Sequence, residues 1–428
     1  MVQLYNKKTW NQERILDTDM NRMENACSGR VFHVAPNGTD GDFDTIQAAI
    51  DKCELDGQGT VVLKPGVYTL DAKLTIQGDY IALMAGGDAT LKKGVNLNDD
   101  ILEIGQAGTA AKFTLLRGII FDGNKANQTG GDRDIDILRA ENLVIDQCLL
   151  KNSYKDAIRS QAQIHKNIWI KNNYFTGMEE RPIYIAGGAI GSRTLKILNN
   201  KMDSFKKAGI YINPAEFENV DVVGNHLYCD AQTAEYGMYM GTNIVNVRVS
   251  GNHIMDALNE ALYVVGYQVH LIDNLIDAPG GDGIRAQIMS GVIGHNEIVN
   301  GGKNGIKLND GNMGVVVVGN KIWVVNEHGI YLVTDTTSPV KCQVVGNLIE
   351  DCSQAAHNTY SGIKLDIGQF CGIHGNHIVA TGVTRHQYGI DENGTKNHVV
   401  ANSSHGHVTA NVLVAGAGSI NSGNTGTV

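Results

Sequence analysis

Short apolar runs alternate with polar residues along most of the chain, and they come in threes. Runs such as Val220-Asp221-Val222-Val223 and Val247-Arg248-Val249 are three to five residues long, rich in Val and Ile, and separated by Gly, Asn and Asp. Such alternation marks strands that face one way. Two signatures punctuate them: Gly319-Asn320-Lys321-Ile322 and Gly329-Ile330-Tyr331-Leu332. The first recurs at Gly224-Asn225, Gly251-Asn252, Gly346-Asn347 and Gly375-Asn376, with looser copies at Asn173, Asn200, Asn274 and Asn296, in steps of 22 to 29 residues. Propeller blades need about 40–50 residues, and helical repeats need a 3.6-residue apolar period. Three strands and three turns per step instead predict an all-β solenoid, a parallel β-helix, with right-handed coiling from the crossover preference. An Asn at the same turn of every coil is expected to take the left-handed conformation and to form an amide ladder along the axis.

Alternation also fixes which residues face out. In Gly-Ile-Tyr-Leu the Ile and Leu point inward and the Tyr outward. Aligned copies give one outward row: Asp136, Arg159, Tyr184, Tyr211, Tyr239, Tyr263, Arg285, Lys307, Tyr331, Lys364 and Asp391. Five tyrosines and four cations share it, against 6% aromatic residues overall. Tyrosine offers a flat face to a sugar ring and a hydroxyl for hydrogen bonds. Arg and Lys suit carboxylate or phosphate, so the expected ligand is a polysaccharide that can be anionic. An all-structural stripe, stacked on itself, is the alternative. The substrate-binding candidates are Arg159, Tyr184, Tyr211, Tyr239, Tyr263, Arg285, Lys307 and Tyr331.

A second row lies one turn upstream: Arg133, Asp156, Arg181, Ala208, Tyr236, Glu260, Asp282, Asn304, His328, Ser361 and Tyr388. Glycosidic acid–base chemistry needs two nearby carboxyl groups, or a base beside a cation. Glu260 and Asp282 with Arg285 form one candidate catalytic set, and Asp156 and Asp136 with Arg159 another. Carboxylates at coil spacing are expected to raise one another's pKa. Each of these is also an ordinary turn residue before Gly-Ile. Gly131-Asp132-Arg133-Asp134 lacks the repeat of calcium-binding rolls, and His226, His253 and His377 read as turn surface; neither metal nor cofactor is expected.

The ends differ from the coils. In residues 1–30, Thr18 or Asp19 is expected to cap a short helix whose stripe is Met20, Met23 and Cys27. So narrow a stripe needs a partner, which predicts self-association, a homotrimer. Residues 31–95 hold a capping helix from Phe43 to Cys53, with Asp42 or Asp44 as its cap, over the mouth of the first coils. Residues 96–394 are the β-helix, and 395–428 a closing segment. A net charge of −10 argues against nucleic acid. No 18-residue apolar run suggests a membrane span, and residues 1–30 do not read as a signal peptide. The 7 cysteines are scattered, so a disulfide framework is not expected, and Cys148 and Cys342 read as buried small apolar residues.

The segment Tyr5-Asn6…Thr9-Trp10…Leu16…Met20-Asn21-Arg22-Met23-Glu24-Asn25 resembles the N-terminus of tail fibre and tail appendage proteins in phages of Gram-positive bacteria. Residues 31–95 resemble the entry module of pectate-lyase-like β-helix proteins. Together they imply a tailspike-like virion protein, made in the host cytoplasm, attached to other tail proteins and depolymerising a host surface polysaccharide. A non-catalytic receptor-binding tail protein is the alternative. A cellular lyase or C5-epimerase is a further one, although Asp156-Ala157-Ile158-Arg159 stands where β-helix mannuronan epimerases carry Asp-Pro-His-Glu.

Overall fold

The computed structural model describes residues 29–426, apart from 39, 132, 162, 187–190, 214–216, 230–232, 310, 334–339 and 383–384. The helix expected near residues 18–27 lies outside the described residues. The chain enters through β1 (Val31–Val34), which pairs in parallel with β2 (Gly59–Leu63), so a strand precedes the capping helix. Between them, α1 (Ile46–Asp56) buries Ile46, Ala49, Ile50 and Cys53. Its cap is Thr45, whose side chain accepts the Ala48 N–H, and not Asp42 or Asp44. Gly57 ends it in the left-handed conformation, at φ 79°.

Beyond this entry the chain is a right-handed parallel β-helix, as the apolar pattern predicts. One coil supplies Ile158–Ser160, Lys166–Lys171 and Tyr174–Thr176; the next supplies Ile183–Ala186, Ser192–Leu198 and Lys201–Asp203. Each strand pairs in parallel with its counterpart one coil on, giving three stacks. In the middle coils the first two stacks run together as Tyr236–Ser250, Leu262–Ile272 and Ile284–Gly294. Residues 395–426 continue the same stacks: Ala410–Val414 pairs with Tyr388–Glu392, and Ile420–Ser422 with His398–Val400.

The core is a set of aliphatic columns. In the first stack Ile183, Ile210, Met238, Leu262, Ile284, Ile306 and Ile330 lie in register, all fully buried. Burial of each such side chain contributes about 1.5–3 kcal/mol. The six described cysteines, Cys148 and Cys342 among them, join this interior and form no disulfide.

At the corner between the second and third stacks runs the asparagine ladder. The Nδ2 of Asn173 donates to Oδ1 of Asn200 at 3.0 Å, and the relay continues coil by coil to Asn402 and Asn424 at 2.9 Å. Each rung is filled several times over. Asn274 Oδ1 accepts both the main-chain N–H and the Nδ2 of Asn252, at 3.1 and 2.9 Å. Its own Nδ2 reaches Val249 O and Asn296 Oδ1, at 3.0 and 2.9 Å. The left-handed residue is not this Asn but the one before it: Gly224, Gly251, Gly319, Gly346 and Gly375 at φ 62–68°, and Asn172 and Asn199 at 55° and 53°. Gly makes the turn at no steric cost, and the following Asn points inward to pair.

Asn274→Ala is therefore expected to cost roughly 2–4 kcal/mol in denaturant unfolding, since buried amide groups on both neighbouring coils lose partners. A loss below about 0.5 kcal/mol, the range of surface substitutions, would show that the ladder does not hold the coils.

Candidate functional site

All eleven residues of the outward row lie in one register. Asp136 pairs with Arg159, Arg159 with Tyr184, and the series continues through Tyr211, Tyr239, Tyr263, Arg285, Lys307, Tyr331 and Lys364 to Asp391. At about 4.8 Å per coil the row is roughly 48 Å long. Its tyrosines are half-buried rather than exposed, because Tyr184, Tyr211, Tyr239 and Tyr263 pack on one another and Tyr331 packs on His328. Tyr211 and Tyr239 stack with centroids 4.5 Å apart and planes within 9°, and Tyr239 and Tyr263 at 5.0 Å and 7°. Tyr184 meets Tyr211 edge-on at 5.5 Å. The flat faces expected to meet sugar are thus covered by neighbouring rings, which leaves ring edges and hydroxyls to face outward. The hydroxyls of Tyr184, Tyr211, Tyr239 and Tyr263 have no hydrogen-bond partner among the described residues and are not buried. Burial pushes the Tyr211 and Tyr239 phenols up, so both stay protonated donors near neutral pH.

Cations sit over the ends of this stack. Arg181 lies 3.9 Å from the Tyr184 centroid and 5.2 Å from that of Tyr211, Arg285 is 5.7 Å from that of Tyr263, and Arg159 5.8 Å from that of Tyr184. Further along, Lys307 lies 5.6 Å from the centroid of Tyr331. Contacts of this kind hold a cation at a ring face without neutralising it.

The four candidate carboxylates each have a partner. Glu260 Oε1 accepts Arg285 Nη1 at 2.9 Å, the pairing the sequence suggests. Asp282 Oδ1 accepts the main-chain N–H and Nδ2 of Asn304, at 3.1 and 2.8 Å, and that amide also reaches Glu327 at 3.1 Å. Asp156 pairs with Arg181 and not Arg159: Nε lies at 2.7 Å and Nη2 at 3.4 Å, and Nη2 also binds Glu180 at 2.9 Å. Asp136 accepts Gln161 Nε2 at 2.8 and 3.1 Å, with Arg133 Nη1 at 3.8 Å. The Asp156 carboxyl is held above the usual range, chiefly by burial; Arg181 opposes this and Glu180 adds to it. Burial, more than a neighbouring carboxylate, is the cause.

Arg181, Gln161 and Asn304 complete these contacts, although only Arg181 and Asn304 fall on a row legible in the sequence. His328, also on the second row, accepts the Ser361 N–H at Nδ1, at 2.8 Å, and burial lowers its pKa to about 4. It is a neutral ring wedged against Tyr331 and Tyr360, at 4.8 and 5.1 Å. Among the described residues no group of three or more His, Cys, Asp or Glu is placed to hold a metal ion. No described helix is long and apolar enough to cross a membrane.

A family model described as right handed beta helix region matches residues 117–244 and 239–405. The chain belongs to the right-handed β-helix family. Among solved β-helix proteins, it superposes on a tailspike variant of E. coli bacteriophage HK620 with a TM-score of 0.56 at 12% identity, covering 86% of this chain and 74% of that one. Another variant of that tailspike, in complex with a hexasaccharide, gives 0.54 at 12%, covering 87% and 75%. DFA-IIIase from Arthrobacter chlorophenolicus A6, in complex with GF2, gives 0.50 at 10%, covering 90% and 98%. At these identities the likeness is one of fold. No curated protein matches the sequence.

The tyrosine stack changes what a substitution in this β-helix does. Tyr239 lies between two rings, so Tyr239→Ala is expected to lower the unfolding free energy by about 1–3 kcal/mol, through lost stacking and lost apolar burial. Tyr239→Phe keeps the ring and should unfold like the parent chain. Equal stability of the Ala and Phe variants would contradict the stack's role.

Proposed function

We propose that this chain is a phage tail appendage that binds a host cell-surface polysaccharide along the first strand stack and cleaves it. Four tyrosine hydroxyls in one register, unpartnered among the described residues and flanked by cations, carry this proposal. They form a row of hydrogen-bond donors and acceptors on successive coils, which suits an extended chain of hydroxyl-bearing rings better than a compact ligand. The fold shared with a tailspike crystallised with a hexasaccharide is consistent with that reading. In this reading the N-terminal segment attaches the protein to the virion. A homotrimer would present three such rows, multiplying the grip on a repeating polymer.

A second reading, binding without cleavage, is favoured by one observation. Glu260, Asp282, Asp156 and Asp136 are each engaged by an Arg or an amide, as residues that shape a groove would be.

Incubation with purified capsular polysaccharides and teichoic acids of Gram-positive bacteria tests both. Tyr239→Phe, which removes one hydroxyl and keeps the stack, should weaken polymer binding by about 0.5–1.5 kcal/mol, the worth of one hydrogen bond. New reducing ends without new ultraviolet absorbance mean hydrolysis, and reducing ends accompanied by the ultraviolet absorbance of unsaturated uronate mean elimination. Tight binding with unchanged polymer length selects the second reading. Absence of binding to any polymer in the panel would contradict the glycan proposal.

A further inference from the structure

The row does not end at its tyrosines. Tyr331, Lys364 and Asp391 follow one another in register, and Asp366 stands two residues beyond Lys364, just after its strand. These four side chains converge. The Lys364 ammonium lies 3.4 Å from Asp366 Oδ1 and 3.8 Å from Asp391 Oδ2. The Tyr331 hydroxyl donates to the other oxygen of Asp366. Asn393 Nδ2 donates to Asp391 Oδ1 at 2.9 Å. Two carboxyl groups that share one ammonium at 3.4 and 3.8 Å have these oxygens at most about 7 Å apart. An acid and a base that invert a glycosidic bond stand about 6.5–9.5 Å apart, and only the short end of that span lies inside this limit.

We propose that Asp391 and Asp366, bridged by Lys364, are the acid and the base that cleave the bound polysaccharide. The assignment rests on the glycan reading of the row and deepens it by placing the reacting bond at its C-terminal end. The environments of the two groups differ in the way such a pair requires. Asp391 is the buried partner, with its side chain 10% exposed, whereas that of Asp366 is 29% exposed. Burial raises the Asp391 carboxyl despite Lys364, with Asp366 and the interior Glu392 adding to the rise. Asp366 is the more exposed of the two and lies between a phenol and an ammonium, as the group that meets water should.

The step balances. Asp391 gives its proton to the glycosidic oxygen as the C1–O bond breaks. Water adds to C1 while Asp366 takes its proton, so one water is consumed and one reducing end appears. Lys364 and Tyr331 touch the carboxyl groups rather than the sugar and are positioning residues. His328, packed on Tyr331 and neutral, closes one side without adding charge. Lys307 over Tyr331 is the next cation along the row.

The test uses the full chain and the same purified capsular polysaccharides and teichoic acids. Asp391→Asn and Asp366→Asn should each lower reducing-end release at least 100-fold while polymer binding stays within about twofold, as expected when only transition-state interactions are lost. Glu297→Gln, on the third stack, should cleave normally. Lys364→Met removes the cation that favours ionised Asp391, so the basic limb of the pH–rate profile should move to higher pH. Tyr331→Phe should lower kcat with little change in KM. Retained cleavage in both Asn variants, or a parent chain that binds polymer yet never cleaves it, would overturn the catalytic assignment and leave the glycan reading standing. A parent chain that binds no polymer would overturn both.

Discussion

The repeat of about 4.8 Å between in-register parallel coils is the constraint on which the rest depends. It obliges each residue to meet its own counterpart above and below, so a coil is stable only if its side chains tolerate near-copies of themselves. Aliphatic residues do so inside, and asparagine does so at the corner, because its amide carries both donor and acceptor and can relay hydrogen bonds without limit. From Asn173 to Asn424 this relay leaves no rung without a partner. A residue in the left-handed conformation immediately before it, Gly or Asn at most rungs and Asp273, His295 or Ala401 at others, turns the chain so that the amide can point inward.

The same spacing shapes the outer face. Rings placed one coil apart stack, so a tyrosine row spends its flat faces on itself and keeps its hydroxyls for solvent. Charges placed one coil apart pair, so Glu260 meets Arg285 and Asp156 meets Arg181. What is left for a ligand is a line of phenol hydroxyls and the few charged groups whose pairing is shared or incomplete. Lys364, divided between two carboxyl groups, is one of these. Geometry imposed by the fold therefore sorts the row into a structural part and a part open to chemistry.

Much of this was legible in the sequence. Alternation around Gly-Ile-Tyr-Leu fixes the inward and outward residues, and the eleven-residue row follows from it without error because a slip of one residue would turn every side chain over. The ladder was legible for the same reason, although the left-handed residue was misplaced by one. What sequence spacing does not contain is side-chain direction. Asp156 lies three residues from Arg159 but points to Arg181 on the next coil, and Gln161 and Arg133 rather than Arg159 meet Asp136. Asp366 was missed because it follows a strand, where alternation stops, and only the folded chain brings it to Tyr331. The capping helix begins later than its acidic residues suggest because Thr45 has the Ala48 N–H within reach.

The central claim is that a polysaccharide lies along the first stack, and hydroxyl-radical footprinting reads this directly. Tyr174 and Tyr228 on the third stack and Tyr267 on the second are 37%, 38% and 48% exposed and serve as internal references. With a binding capsular polysaccharide or teichoic acid present, oxidation of Tyr184, Tyr211, Tyr239 and Tyr263 should fall severalfold while the three references stay unchanged. Protection of Tyr174, Tyr228 or Tyr267 with the row unaltered would place the polymer on another face and contradict the account.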